Sequence, residues 1–219
     1  MARRAPGSLP PLLPAFAFAG FTIAAIALSA RIPRPDASTA EFYAYVADHR
    51  DLLRLSGLLF VPAALQLGVW TATVHHRVRI LADDPPGATI ALVGGILAAV
   101  TGMLTGLLGW AISRAPEPSA AAALRDLQFA MGAPGFIVSL ALLIGGVSIS
   151  LLLSGHSRAL ALSGLVVAAI EGLSLLSLFT LDLAVILPIG RFTGMLWILA
   201  ASVVLTRVTP PRKPVAVAV

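Results

Sequence analysis

Apolar residues in this chain come in long blocks, not in the alternation of a half-buried strand or the three-to-four spacing of a surface helix. Six blocks reach about twenty residues or more, the length an α-helix needs to cross a bilayer core. They cover about 12–32, 52–74, 88–113, 127–153, 159–179 and 189–208. Polar or Pro-rich breaks separate them, among them RIPRPD, ADDPPG, RAPEPS and SGHSR. The pattern predicts an all-α fold, a polytopic membrane helix bundle forming a single transmembrane domain over 1–219. Two breaks are long enough to carry short interfacial helices on the outer face. In STAEFYAYVADHR, Ser38 and Glu41 stand at capping-box spacing. Phe42, Tyr45 and Val46 then share one helical face, which predicts a helix lying along the headgroups. In PSAAAALRDLQ, Ser119 is a candidate cap ahead of strong helix formers.

Composition narrows the class. The chain is 58% hydrophobic and 11% charged, whereas a soluble domain carries about 25% charged residues. The absence of cysteine excludes disulfides, thiolate metal sites and cysteine nucleophiles. Fourteen of the fifteen basic residues are Arg, which with the Ala, Gly and Pro load suggests a GC-rich bacterial genome and hence a bacterial plasma membrane. The net charge is +5, but the basic residues sit at helix ends and form no patch, so no nucleic-acid partner is expected. With the N-terminus inside, Arg3, Arg4, Arg77, Arg79, Arg158, Arg207, Arg212 and Lys213 lie on the inner side. The other seven, Arg191 among them, lie outside. This slight inner excess predicts cytoplasmic termini. A cleaved signal peptide is the alternative for the first block, although that block is longer than a signal core.

The stretch HRDLLRLSG, 49–57, opens like a protein-kinase catalytic loop. The Asn that should follow is Ser56, no DFG exists, and the stretch runs straight into an apolar block. A repeat explains it better. LRDLQFAMG at 124–132 shares Arg-Asp-Leu and the closing Gly at an offset of 75 residues. ALVGGILAAVTG from Ala91 and ALSGLVVAAIEG from Ala161 match again at an offset of 70. Units of about 50–113 and 125–180 are therefore predicted as a parallel tandem repeat of two helices each. Asp51 and Asp126 would both sit at helix N-termini, where the helix dipole favours a carboxylate.

Stripes of small residues, Gly94, Ala98, Gly102 and Gly106, then Gly164, Ala168 and Gly172, mark faces where helices approach closely. Glu171 replaces Thr101 of the first unit and stands well inside a span. A carboxylate in that position is costly and usually faces the bundle interior, a partner or a water path. It is the leading candidate binding residue, a proton carrier or a neutral donor. Arg54 and Gln66 on the second helix are its candidate companions. The rival is a Glu hydrogen-bonded to Ser174, Ser177 or a carbonyl. His75, His76 and His156 gather at the inner boundary near Asp83 and Asp84. Histidines at an interface beside Arg are normally solvated, so no metal site is assigned. Pro62 and Ala133-Pro134-Gly135 should kink their helices. No Ser-His-Asp set, Walker loop, zinc-protease motif or dinucleotide fingerprint occurs. Catalytic residues and cofactors are assigned none, and the chain is not read as an enzyme.

The helix order, the RDL helix starts and the closing GRFTGMLWILAASVVLTR resemble uncharacterised six-helix membrane proteins of actinobacteria, grouped as a domain of unknown function. That resemblance implies no activity. Two function classes fit the residues. One is a small transporter or ligand-binding bundle in which Glu171 handles a proton, a small cation or an amphiphilic ligand. The other is a non-catalytic scaffold or accessory subunit whose Gly/Ala faces dock a second copy or another protein.

Overall fold

The computed structural model describes residues 10–29, 31–81 and 84–207, and every regular element in them is helical. Helix α1 spans Leu12–Ser29, α2 Thr39–Asp48, α3 Arg50–Leu81 and α4 Pro86–Ile112. Helix α5 (Pro118–Ala130) passes through a π turn at Met131–Gly135 into α6 (Phe136–Leu153). Helix α7 (Arg158–Leu173) ends in a 3-10 turn over Ser174–Leu178, and a second 3-10 turn, Leu181–Val185, leads into α8 (Ile186–Arg207). Taken with these turns, six helices are long and apolar enough to cross a membrane: 12–29, 50–81, 86–112, 118–153, 158–178 and 181–207. The fold is thus an all-α polytopic bundle. An even number of crossings puts the start of α1 and the end of α8 on one side.

Side-chain placement follows the same logic. Leu13, Phe16, Leu65, Val166 and Leu196 are all at least half exposed, an apolar outer belt that water would not tolerate and lipid does. The interior centres on α6, whose span is 61% buried against 22–39% for the others. Ile137, Leu140, Leu143 and Ile144 of α6 pack with Leu67 and Trp70 of α3 and Ile198 of α8. Close approach is made by glycine. A Cβ on Gly57 would stand 2.6 Å from the Gly106 carbonyl oxygen, and one on Gly106 2.5 Å from the Gly57 oxygen. Gly94 faces Leu142 and Leu143 of α6, while Gly164 faces Ser148 of α6 and Trp197 of α8. The small-residue stripes are therefore filled largely by the chain's own helices. Gly172 is the exception and is open.

Several expected boundaries move. Helix α3 is 32 residues long, about 48 Å at 1.5 Å per residue, and so is longer than a bilayer's hydrocarbon core is thick. The first span stops at Ser29, whose hydroxyl donates back to Ala25 O at 2.9 Å. The second outer helix forms as α5 and leads directly into the span of α6. Despite Gly132 and Pro134, α5 continues through the π turn Met131–Gly135 into α6, and its N-cap is Glu117 with Pro118 following, not Ser119. Asp126 consequently lies well inside α5 instead of at a helix start, exposed and bonded to Arg125 at 2.9 Å. Asp51 does sit in the first turn of α3, almost fully exposed.

The first outer helix forms as expected, with the Ser38 hydroxyl accepting from Glu41 N–H at 3.2 Å. Its position differs. Phe42 and Val46 are 1% exposed and pack against Leu53, Ile112, Ala115 and Ala121, so α2 caps the bundle's end and its apolar face meets protein. Arg125 stacks over the Phe42 ring at 5.1 Å and donates to Ala37 O at 2.9 Å, and the Tyr43 hydroxyl donates to Pro116 O at 3.1 Å. Burial in this cap pushes the Tyr45 phenol above its ordinary range, with Arg31 opposing.

Candidate functional site

Glu171 occupies the third-last residue of the α-helical part of α7 and is 0% exposed. Two glycines on α8 make room for it. A Cβ on Gly190 would stand 3.5 Å from Glu171 Cγ, and one on Gly194 would collide with Glu171 Oε1. Ile137 and Ile144 of α6 close the crevice, lying beside those same glycines. Neither carboxyl oxygen has a hydrogen-bond partner. The nearby hydroxyls are engaged elsewhere: Ser174 donates to Glu171 O at 2.5 Å and Ser177 to Ser174 O at 2.7 Å. The two serines thus tighten the backbone from α into 3-10 geometry just past the carboxyl, and they leave the carboxyl itself unpaired.

The expected companions lie elsewhere. Arg54, near the start of α3, reaches Asp51 at 3.8 Å, and its Nε is buried without a partner. Gln66 is half-buried on α3. Among the described residues no hydrogen bond or ion pair joins either to Glu171, whose helix packs chiefly on α6 and α8. At the inner boundary, His75 Nδ1 donates to Ala88 O at 2.9 Å, His156 Nδ1 to Ser154 O at 2.9 Å, and Arg79 pairs with Asp84 at 2.6 Å. Asp83 lies outside the described residues. Among the described residues no cluster of three or more His, Cys, Asp or Glu could hold a metal ion.

A second intramembrane charge sits on the next face of α8. Arg191, expected at the outer interface, lies ten residues into the span 181–207. Its Nη2 donates to the Gly132 carbonyl, and its guanidinium stacks 5.3 Å from the Phe136 ring centroid. Pro134 creates the acceptor. Lacking an N–H and clashing with the carbonyl four residues back, it forces the chain out of α register. The Phe136 N–H then bonds to Met131 O and Ala133 O, so it bypasses Gly132 O and leaves that oxygen for Arg191. Such π turns recur at functional sites.

Arg191 borders a cavity inside the bundle. Phe18 and Thr22 of α1, Phe60 of α3, Thr105 of α4 and Phe136 of α6 line it, so five of the six spans contribute. The space open to a water's centre is about 20 Å³, enough for about one water. Glu171 does not line it. One turn of α8, with Gly190 and Gly194 on one face and Arg191 on another, thus holds the carboxyl and the cavity at the same depth.

The signal for Arg191 was present in the sequence. LAVILPIG, 183–190, carries no charge, so a span begun there places Arg191 inside it. These features define a multi-pass helical bundle of membrane type in which Glu171 and Arg191 stand well inside two of the spans. No protein family, curated protein or solved structure matches the chain.

Proposed function

We propose that this chain is a small transporter or ligand-binding bundle of the bacterial plasma membrane, with both termini cytoplasmic, in which Glu171 is an exchangeable proton site. One observation carries the reading: a carboxyl wholly buried within a span, with neither oxygen partnered. An unpaired carboxylate in hydrocarbon is costly enough that an ionisable residue there is a functional candidate by default. The protonated form removes the charge but still leaves a buried donor and acceptor unsatisfied, a cost that packing alone does not explain. Helix α8 is the element through which that group can act. It presents glycines to the carboxyl on one face and Arg191 to the cavity on another, so gain or loss of the proton biases how α8 sits between them. The alternative, a scaffold docking through Gly/Ala faces, has less to support it, because those faces are largely filled from within the chain.

The test is proton flux in sealed vesicles carrying the full chain under an imposed pH gradient. Glu171→Gln keeps shape and polarity and removes ionisation. It should retain thermal stability and reduce flux to that of empty vesicles. Flux and stability equal to wild type at every pH would make Glu171 a packing residue.

A further inference from the structure

We infer that Glu171 takes up its proton from the membrane face opposite the termini, along a polar seam formed by Ser174 and Ser177. The inference rests on the reading of Glu171 as an exchangeable proton site and adds the side and the route of the exchange.

The first argument is an inversion of polarity. From Glu171 to Phe179 the buried residues are Glu171, Ser174 and Ser177, at 0%, 0% and 1% exposure, while the leucines among them and Phe179 itself are all exposed. A segment held only by packing would bury its leucines, as α6 does. Leucines turned to lipid and polar side chains turned inward mark a segment that lines a polar interior. The unpartnered carboxyl of Glu171 stands at the inner end of that stripe.

The second argument is geometry. Glu171, Ser174, Ser177 and Thr180 recur every three residues, and the chain passes into 3-10 geometry over Ser174–Leu178. Side chains three apart eclipse in a 3-10 helix, whereas in an α-helix they fan around the axis. The four residues therefore form one column. Its far end reaches the surface, where the exposed Thr180 donates to Asp182 Oδ2 at 3.3 Å. Hydroxyls one 3-10 turn apart are separated by about 6 Å, the span of a single bridging water. Each serine hydroxyl donates to the carbonyl three residues back and keeps its lone pairs to accept.

The third argument is direction. Toward the face of the termini, the buried residues of α7 are Gly164, Ala161 and Leu160, and Val167 and Ala168 fill the stretch between Gly164 and Glu171 against the core. About 20 Å of helix lies between Glu171 and Arg158 on that side, against about 12 Å to Ser177 on the other. The 3-10 segment packs on α6, α8 and the π turn. Neither α6 nor the π turn carries a charge, and Arg191 of α8 is engaged with Gly132 O and the Phe136 ring. Asp182 is thus the charged group at the mouth of the seam. A hydronium ion there gives up one proton, each water and hydroxyl along the column accepts one and passes one on, and the Glu171 carboxylate becomes a carboxylic acid.

The experiment uses the absence of cysteine from the chain. Single variants Ser174→Cys, Ser177→Cys, Ala168→Cys and Leu175→Cys of the full chain are placed in sealed vesicles, with the exposed Ala44→Cys on α2 reporting which face is outward. Silver ion is added outside in chloride-free buffer, and the thiols left free are counted with a maleimide after denaturation. A thiol becomes the reactive thiolate only where water reaches it. Ser174→Cys and Ser177→Cys should be blocked from the face that exposes Ala44→Cys, and Ala168→Cys and the lipid-facing Leu175→Cys should stay free. Ser174→Ala and Ser177→Ala should lose most of the proton flux while unfolding at the wild-type Tm. Seam cysteines left free, blocked only from the face of the termini, or blocked no faster than Leu175→Cys overturn the route, and a flux that still depends on Glu171 then leaves the proton reading standing. Wild-type flux in Glu171→Gln with the seam cysteines blocked overturns the proton reading, and this inference with it.

Discussion

The carboxyl of Glu171 lies so close against Gly194 that a Cβ there would overlap Oε1. The two positions are therefore coupled. Gly194→Ala should destabilise the protein by about 1–3 kcal/mol through overpacking. In a Glu171→Ala background the obstacle is gone, and the same substitution should cost little. A double-mutant cycle by thermal or denaturant unfolding measures the difference. Additive costs would show that the carboxyl does not rest on Gly194.

Glycines elsewhere divide by what faces them. At Gly57 and Gly106 an added methyl meets backbone on the partner helix, at 2.6 and 2.5 Å, and backbone cannot step aside without parting α3 from α4. Alanine at either should destabilise by more than the about 0.5–1 kcal/mol it gains in helix propensity. At Gly20 and Gly172 nothing lies within 4 Å, so alanine there should be neutral or mildly stabilising. Unfolding of the four single variants checks both signs.

The class of fold was legible because hydrocarbon demands long apolar helices with internally satisfied backbones, and length and polarity are read directly from residues. The cap at Ser38 and the cost of Glu171 were legible for similar local reasons. What was not legible depended on context. In sequence Arg125 and Gln128 resemble an interfacial break, yet Arg125 serves Phe42 and Ala37 across the cap, and Gln128 donates to Thr105 O at 3.0 Å. Arg191 read as a topology signal because a charge near an apolar boundary normally is one. Its role required the free carbonyl of Gly132, which Pro134 creates two residues away in sequence and one helix away in space.

Orientation can be tested cleanly because the chain has no cysteine. Ala44 on α2 and His76 near the far end of α3 are both exposed. With both termini cytoplasmic, Ala44→Cys should react with a membrane-impermeant maleimide in intact cells, and His76→Cys only after lysis. The opposite labelling pattern would invert the assigned topology.

Trp70 and Ser202 join α3 to α8 through a bond from the indole N–H to the serine hydroxyl, at 2.7 Å, with both residues 0% exposed. The hydroxyl in turn donates to Ile198 O at 2.7 Å, so its lone pairs face the indole. Ser202→Ala leaves the buried indole N–H without its acceptor. Trp70→Phe removes donor and volume together. Interhelical hydrogen bonds of this kind in membrane proteins are worth about 0.6 kcal/mol on average and up to about 1.7. Ser202→Ala should therefore lower stability by about 1 kcal/mol, with Trp70→Phe costing more because it also leaves a void. The coupling energy from the double mutant isolates the bond. Coupling near zero would mean that α3 and α8 are held by packing alone, and that the polar pair contributes nothing to fixing α8, the helix on which both Gly194 and Arg191 depend.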